Sequence, residues 1–147
     1  MTRVLPETRT LSLLEKVAVF SQKRQEVLAG NIANVSTPGY RTRDLPVDAF
    51  QEALRKAIEL KQPKSRSLAD EVFPNLPGVE NVEGIFKSEL FDAIERKPGD
   101  LTFQDSANRS VETEVMEMTK NSLTQAAAIE LLTAQFRMTE AVITGRA

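Results

Sequence analysis

Neither cysteine nor histidine occurs among the 147 residues, and each absence removes a class of chemistry. Without cysteine there is no disulfide, no thiol nucleophile and no thiolate metal site; without histidine the commonest general base and metal ligand is missing. Catalysis would fall to carboxylates, lysines and hydroxyls. A cysteine-free chain suits the cytosol or an extracytoplasmic site that needs no cross-link. No stretch approaches the roughly 20 apolar residues of a membrane helix, so membrane insertion is not expected. The opening MTRVLPETRT has no apolar run followed by small residues, so no cleaved secretory signal is expected either. Nineteen basic and 21 acidic side chains are mixed along the chain for a formal net charge of -2. That balance gives no electrostatic ground for nucleic acid or an anionic membrane surface as the main partner.

What is present falls into three parts: residues 1–40, 41–109 and 110–147. In the first, Leu11, Leu14, Ala18, Ser21, Gln25, Leu28 and Ile32 alternate by three and four, the seam of a heptad helix. Two of its middle positions are polar. With no glycine before Gly30 and no proline before Pro38, a helix over 11–34 is predicted, about 36 Å long at about 1.5 Å per residue. In the third part Val111, Val115, Met118, Ser122, Gln125, Ile129, Leu132, Phe136, Thr139 and Ile143 repeat the pattern over 110–144. Ser110 suits its N-cap, Glu112 and Glu114 its first turn, and Gly145 its far end. Such a helix, about 50 Å long, is too long for an ordinary globule of this size.

The middle holds five of the seven prolines (Pro46, Pro63, Pro74, Pro77, Pro98) and is expected to be loop-rich and partly disordered. One short helix is predicted near 48–61, from the near capping box of Asp48 and Gln51 and the recurrence of Phe50, Leu54 and Ile58. The basic run from Arg55 to Arg66 reads as a solvated face, and residues 82–91 as a short strand. The fold class is therefore mainly α, with the terminal helices paired as a coiled-coil-like antiparallel hairpin.

A simple hairpin needs one apolar seam per helix. The C-terminal helix carries a second stripe, Met116, Lys120, Leu123, Ala127, Leu131, Ala134, Met138 and Ala141, apolar except for Lys120. The N-terminal helix likewise has Leu13, Val17, Phe20 and Val27 off its seam. Fully burying such side chains is worth about 1.5–3 kcal/mol each, so they call for further partners. Either the middle segment folds over them or other copies do, a contact that forms a filament if its rotation does not close. Glu114, Glu117, Asn121, Thr124, Arg137 and Glu140 remain as a polar stripe.

Between the first helix and the middle lies NIANVSTPGY, residues 31–40. Asn34 suits a helix end, Pro38 pushes Thr37 out of helical geometry, and Thr37-Pro38-Gly39-Tyr40 matches a type II turn. The string Asn31-Ile32-Ala33-Asn34 followed by Thr37-Pro38-Gly39-Tyr40 resembles the N-terminal signature of bacterial flagellar axial proteins, the rod, hook and hook-associated subunits. Arg43-Asp44-Leu45 is similar to the Arg-Asp-Ile/Leu of proximal rod members, and Asn121-Ser122-Leu123 to the Asn-Ala-Leu of their C-terminal helix. Gln125-Ala126 stands where a Tyr-Gln pair is usual, and Arg41 where lysine is usual.

The resemblance implies a structural subunit of the flagellar basal body, in the rod that spans the periplasm and transmits torque. It also implies partners among other rod subunits and further copies of itself, and passage through the flagellar export apparatus without a cleaved signal. The residues expected to pack between subunits are Leu11, Leu14, Leu28, Met118, Leu123, Ile129, Leu131, Leu132, Phe136 and Met138. No cofactor, metal, nucleic acid or small-molecule substrate is expected. A helical adaptor or chaperone that grips a partner's amphipathic helix is the alternative. An enzyme would have to rely on Glu112, Glu114 and Glu117, and Glu112 and Glu114 are two apart on different helix faces, so a solvated first turn is the simpler expectation.

Overall fold

Two helices dominate the computed structural model, which describes residues 8–59, 82–96 and 111–145. Helix α1 runs Thr8–Ala33 and the last helix, α4, runs Val111–Thr144. They lie antiparallel, since Asn31 late in α1 meets Glu114 early in α4, while Ser21 and Gln25 meet Asn121 and Ser122. Between them come strand β1 (Arg43–Asp44), helix α2 (Val47–Glu59), one turn of helix α3 (Val82–Ile85), a 3-10 turn over Ser88–Phe91 and strand β2 (Ile94–Glu95). The strands form a minimal antiparallel ribbon, Arg43 opposite Glu95 and Asp44 opposite Ile94, extended by the Arg96 amide donating to the Thr42 carbonyl at 2.9 Å.

The predicted long helices are present, each within a few residues of its expected bounds. Gly145 closes α4 at φ +63°, a backbone state in which glycine meets no Cβ penalty; Ser110, the expected N-cap, lies outside the described residues. Helix α2 opens at Val47, one residue ahead of the expected 48–61 and two ahead of what Asp48 as N-cap would give. Asp48 therefore sits inside the first turn, where its charge favours the helix dipole, and the Phe50 amide bonds the Pro46 carbonyl at 3.0 Å. Most of the basic run Arg55–Arg66, and the loop-rich character expected of 62–81 and 97–109, lie outside the described residues.

The strand expected at 82–91 is not there. Helical turns replace it, because they bring Ile85, Phe86, Leu90 and Phe91 onto one apolar cluster, whereas strand geometry would send alternate side chains to opposite faces. That cluster is the core. Phe20 stacks on Phe50 with ring centroids 3.9 Å apart, Phe91 stands edge-on to both at 6.2 Å, and Phe86 tilts against Phe50 at 5.6 Å. Leu13, Leu45, Ala53 and Ala57 complete it, with Val17 and Val27 packed alongside. The side chains of α1 left over from its seam are thus covered by residues of the middle segment, and α1 needs no other copy to bury them. On α2 the buried set is Phe50, Ala53 and Ala57; Ile58, expected inside, is exposed.

Helix α4 is rotated from its expected setting. Its inward positions are Glu114, Met118, Asn121, Gln125, Ala128, Leu132, Gln135 and Thr139, all buried or half-buried. Half of these belong to the expected seam, but Val115, Ile129 and Phe136 have given way to Glu114, Ala128 and Gln135, and Asn121 displaces Ser122 as the buried residue. The change is a turn of roughly half the 100° between successive residues. The cause is the opposing surface, where α1 presents Ser21, Arg24, Gln25 and Asn31, groups that need polar partners rather than valine or phenylalanine. The first half of the polar stripe, Glu114, Glu117 and Asn121, is therefore turned toward α1 while Thr124, Arg137 and Glu140 stay exposed, and Glu114, expected to be solvated, is 3% exposed.

Replacing Phe50 with alanine removes the ring at the centre of the cluster and is expected to destabilise the chain by about 3–5 kcal/mol. Ile58→Ala on the same helix is expected to change stability by no more than about 0.5 kcal/mol. Urea unfolding followed by circular dichroism measures both.

Candidate functional site

The residues of the NIANVSTPGY segment act through the end of α1. The Asn34 amide makes the last helical bond to the Gly30 carbonyl at 3.1 Å, and the Asn34 side chain donates to the same carbonyl at 2.8 Å. The chain then turns twice: the Thr37 amide bonds the Asn34 carbonyl at 2.9 Å and the Tyr40 amide bonds the Thr37 carbonyl at 3.2 Å. Gly39, at φ +72°, occupies the one position of the Thr37–Tyr40 turn that demands positive φ. Ala33, Thr37, Pro38 and Gly39 are exposed; Ile32, Asn34 and Tyr40 are half-buried.

The turn sends the chain back along α1 and so gives Asn31 its partners. Its side chain is 1% exposed. The Asn31 Nδ2 donates to the Arg43 carbonyl at 2.7 Å and to Glu114 Oε2 at 2.8 Å, while Oδ1 accepts from the Arg43 amide and the Tyr40 hydroxyl, both at 3.1 Å. Two donors and two lone pairs are the full capacity of a carboxamide, and all are used.

From Glu114 a chain of ion pairs continues. Arg96 bridges it to Asp44, with Nη1 to Glu114 Oε1 and Nη2 to Asp44 Oδ2, each 2.6 Å. Arg24 grips Asp44 from the other side in a bidentate pair, Nε to Oδ1 at 2.8 Å and Nη2 to Oδ2 at 2.9 Å, and its Nη2 also reaches Glu117 at 2.8 Å. Lys120, one turn on, closes the row on Glu117 at 3.1 Å. Three cations thus meet three carboxylates across α1, the ribbon and α4. Burial pushes the Asp44 carboxyl up, but hydrogen bonds from Arg24 and Arg96 outweigh it and hold the group below the usual carboxylate range. The Arg24 hydrogen bond, with help from Lys120, likewise lowers Glu117. Asp44 in turn raises the Arg24 guanidinium above its ordinary value.

A second polar contact follows along the seam. Asn121 Nδ2 donates to the Ser21 carbonyl at 2.7 Å and to Gln25 Oε1 at 2.9 Å, and Gln25 Nε2 donates to Ser122 Oγ at 3.1 Å. The hub carboxylates are committed to guanidinium groups, so the arrangement works as a clamp and offers no free base. Of the side chains expected to pack between subunits, Leu28 is wholly enclosed within the chain and has no surface left for a neighbour. Leu11, Leu14, Met118 and Leu132 are half-buried. Leu123 (68%), Ile129 (49%), Leu131 (54%), Phe136 (61%) and Met138 (51%) are exposed.

Sequence reasoning singled out Asn31 but missed Arg24, Asp44, Arg96 and Glu114 as members of one site. For Arg24 a signal existed: Leu13, Val17, Phe20, Arg24, Val27 and Asn31 recur by threes and fours, so the stripe noticed for its apolar members runs on into two polar ones.

A long antiparallel pair of terminal helices, pinned where the first ends in Asn-Ile-Ala-Asn and a Thr-Pro-Gly-Tyr turn, is the form of an axial subunit, and the comparisons agree. Residues 21–41, which include Arg24, Asn31 and the turn, match the family described as "Flagella basal body rod protein". The flagellar basal body rod protein FlgB of Aquifex aeolicus (strain VF5) is 30% identical over 139 residues, 95% of this chain and 96% of that protein. FlgB of Proteus mirabilis (strain HI4320) is 40% identical over 50 residues, 34% of either chain. The chain belongs to the family of flagellar basal body rod proteins. Within that family its likeness is to FlgB, and it is a structural subunit of the rod.

Asn31→Asp keeps the shape but turns the donor that faces Glu114 into a second carboxylate oxygen, and is expected to destabilise the chain at pH 7 by about 2–4 kcal/mol. One carboxyl of that pair is then raised, so its penalty applies above the raised value; the gap to the parent is expected to narrow as pH falls from 7 to 5, checked by urea midpoints. The parent behaves oppositely. Asp44 and Glu117 are lowered from unfolded values near about 3.9 and 4.3, so their contribution is complete above about pH 5 and is lost as pH falls through the lower folded values. Glu117→Gln is expected to cost about 1 kcal/mol at neutral pH and to flatten the acid limb of the stability curve below pH 5.

Proposed function

We propose that this chain is a proximal-rod subunit whose α1–α4 hairpin packs beside other rod subunits and further copies of itself around the rod axis, so that the polymer transmits torque across the periplasm. One observation carries this reading: α4 leaves two apolar flanks uncovered. Val111, Val115, Ile129 and Phe136 lie along one side, between 41% and 61% exposed, and Met116, Leu123, Leu131 and Met138 along the other, between 51% and 68%. Helical spacing puts the first set beside the inward face and the second on the side turned away from it. Apolar surface of this extent on a single chain marks an interaction face.

The three-part division at 1–40, 41–109 and 110–147 then assigns axial packing to the outer parts. The described pieces of the middle brace α1 through Phe50, Phe86 and Phe91. Assembly of this kind is mechanical: no catalytic step, cofactor, nucleic acid or small-molecule substrate enters it. The net charge of -2 supports the exclusion of nucleic acid. Among the described residues no helix is long and apolar enough to cross a membrane; delivery by the flagellar export apparatus is part of the same proposal. No observation favours the adaptor alternative.

The test is the triple variant Leu123→Ser, Leu131→Ser, Met138→Ser in a strain lacking the native copy. These side chains are exposed, so the purified variant is expected to unfold within about 0.5 kcal/mol of the parent. Swimming in soft agar and the presence of the chain in isolated basal bodies are both expected to be lost. Normal incorporation would overturn the assignment of this flank to subunit packing.

A further inference from the structure

On the side of α4 turned away from α1, large and small side chains alternate. Leu123, Ala127, Leu131, Ala134, Met138 and Ala141 follow one another by threes and fours, all exposed except the half-buried Ala141. Such a row is complementary to itself when reversed. Laid against an identical helix running the opposite way, with a two-fold axis between positions 131 and 134, Leu123 meets the partner's Ala141, Leu131 the partner's Ala134 and Met138 the partner's Ala127. Each bulky side chain then stands over a methyl, which lets the helices approach closely and pack without voids. In a parallel pair in register, leucine would meet leucine and alanine would meet alanine.

Charge obeys the same two-fold. Glu130 and Arg137 lie on one shoulder of the row, both exposed, and neither forms an ion pair among the described residues. Reversal brings Arg137 within about 3 Å, along the axis, of the partner's Glu130, and the symmetric pair forms too; a parallel pair in register would set each charge against its own kind. Lys120, the one polar member of the stripe, falls opposite the partner's Gly145, at a helix C-terminus whose dipole favours a cation. We infer that the free subunit pairs through α4 with a second copy as an antiparallel dimer. A two-fold contact uses the same patch on both chains and does not propagate. The dimer therefore covers the flank assigned above to rod packing and holds the subunit back from polymerising until the copies part; that consequence rests on the rod reading, whereas the dimer does not. The overlap of residues 120–144 is about 37 Å long, a narrow contact at the small end of specific interfaces, so the pairing is weak and reversible.

The chain has no cysteine, so a single one placed on the exposed flank reports its neighbour. Under the two-fold, position 134 lies about 5 Å along the axis from its counterpart and position 116 about 50 Å. In purified protein a short bismaleimide is expected to link Ala134→Cys chains into dimers and to leave Met116→Cys chains single. Sedimentation velocity over about a hundredfold range of concentration is expected to show a reversible monomer–dimer equilibrium. Arg137→Glu is expected to weaken it at least about fivefold, and Arg137→Glu combined with Glu130→Arg to restore it. A monomer at every concentration, equal linking at 116 and 134, or a charge exchange without effect would overturn the dimer. Incorporation into basal bodies bears on the rod assignment alone, so the two readings fail separately.

Discussion

A single carboxamide fixes the relation among the parts of this protein. Asn31 is enclosed at the end of α1, and its four hydrogen bonds reach three other places in the chain: Tyr40 beyond the turn, the backbone of Arg43 at the start of β1, and Glu114 on α4. In a site of low dielectric an unmatched amide group is expensive. The turn must therefore return the chain to within reach of Asn31, the ribbon must start where it does, and α4 must present a carboxylate rather than an apolar side chain. Gly39 makes that return possible, and the string of residues around it is the local solution to a long-range demand.

The ion pairs beyond Glu114 extend the same constraint. Partly buried charges seldom add much net stability, because desolvation offsets their attraction. Here each carboxylate oxygen of Asp44 faces guanidinium nitrogen at 2.6–2.9 Å, and removing one partner would strand the others. What such a row supplies is discrimination between arrangements. Hydrophobic contact accounts for α1 holding α2 and the 82–91 turns, where Phe20 and Phe50 stack; directed polar contact accounts for where α4 lies.

That contrast explains what was legible in the sequence. The long helices and α2 were readable because their periodicity is local. The motif at 31–40 was readable because turn chemistry is local too, and its resemblance to axial proteins led to the family. The inner face of α4 was misread, since a periodicity argument assigns the most apolar stripe to the seam, and here Val115, Ile129 and Phe136 face outward while Glu114 and Asn121 face in. The fault lies in the partner: α1 turns polar over Ser21–Asn31, and only knowledge of which surfaces meet reveals that. The 82–91 segment misled for a similar reason, its apolar residues serving a distant aromatic cluster instead of a pleated neighbour. Arg96 gave no signal, because its partners are 52 and 18 residues away.

The mixed chemistry of the α1–α4 seam also governs how the outside of the hairpin is presented. Two helices joined only by greasy side chains can slide by a heptad and find nearly the same contact again. Pairs as particular as Asn31 with Glu114 and Asn121 with the Ser21 carbonyl have no equivalent seven residues away. The bare flanks of α4 are thereby held at one axial height relative to the turn at Gly39, like marks on a gauge. Every copy of the chain therefore presents those flanks at the same level.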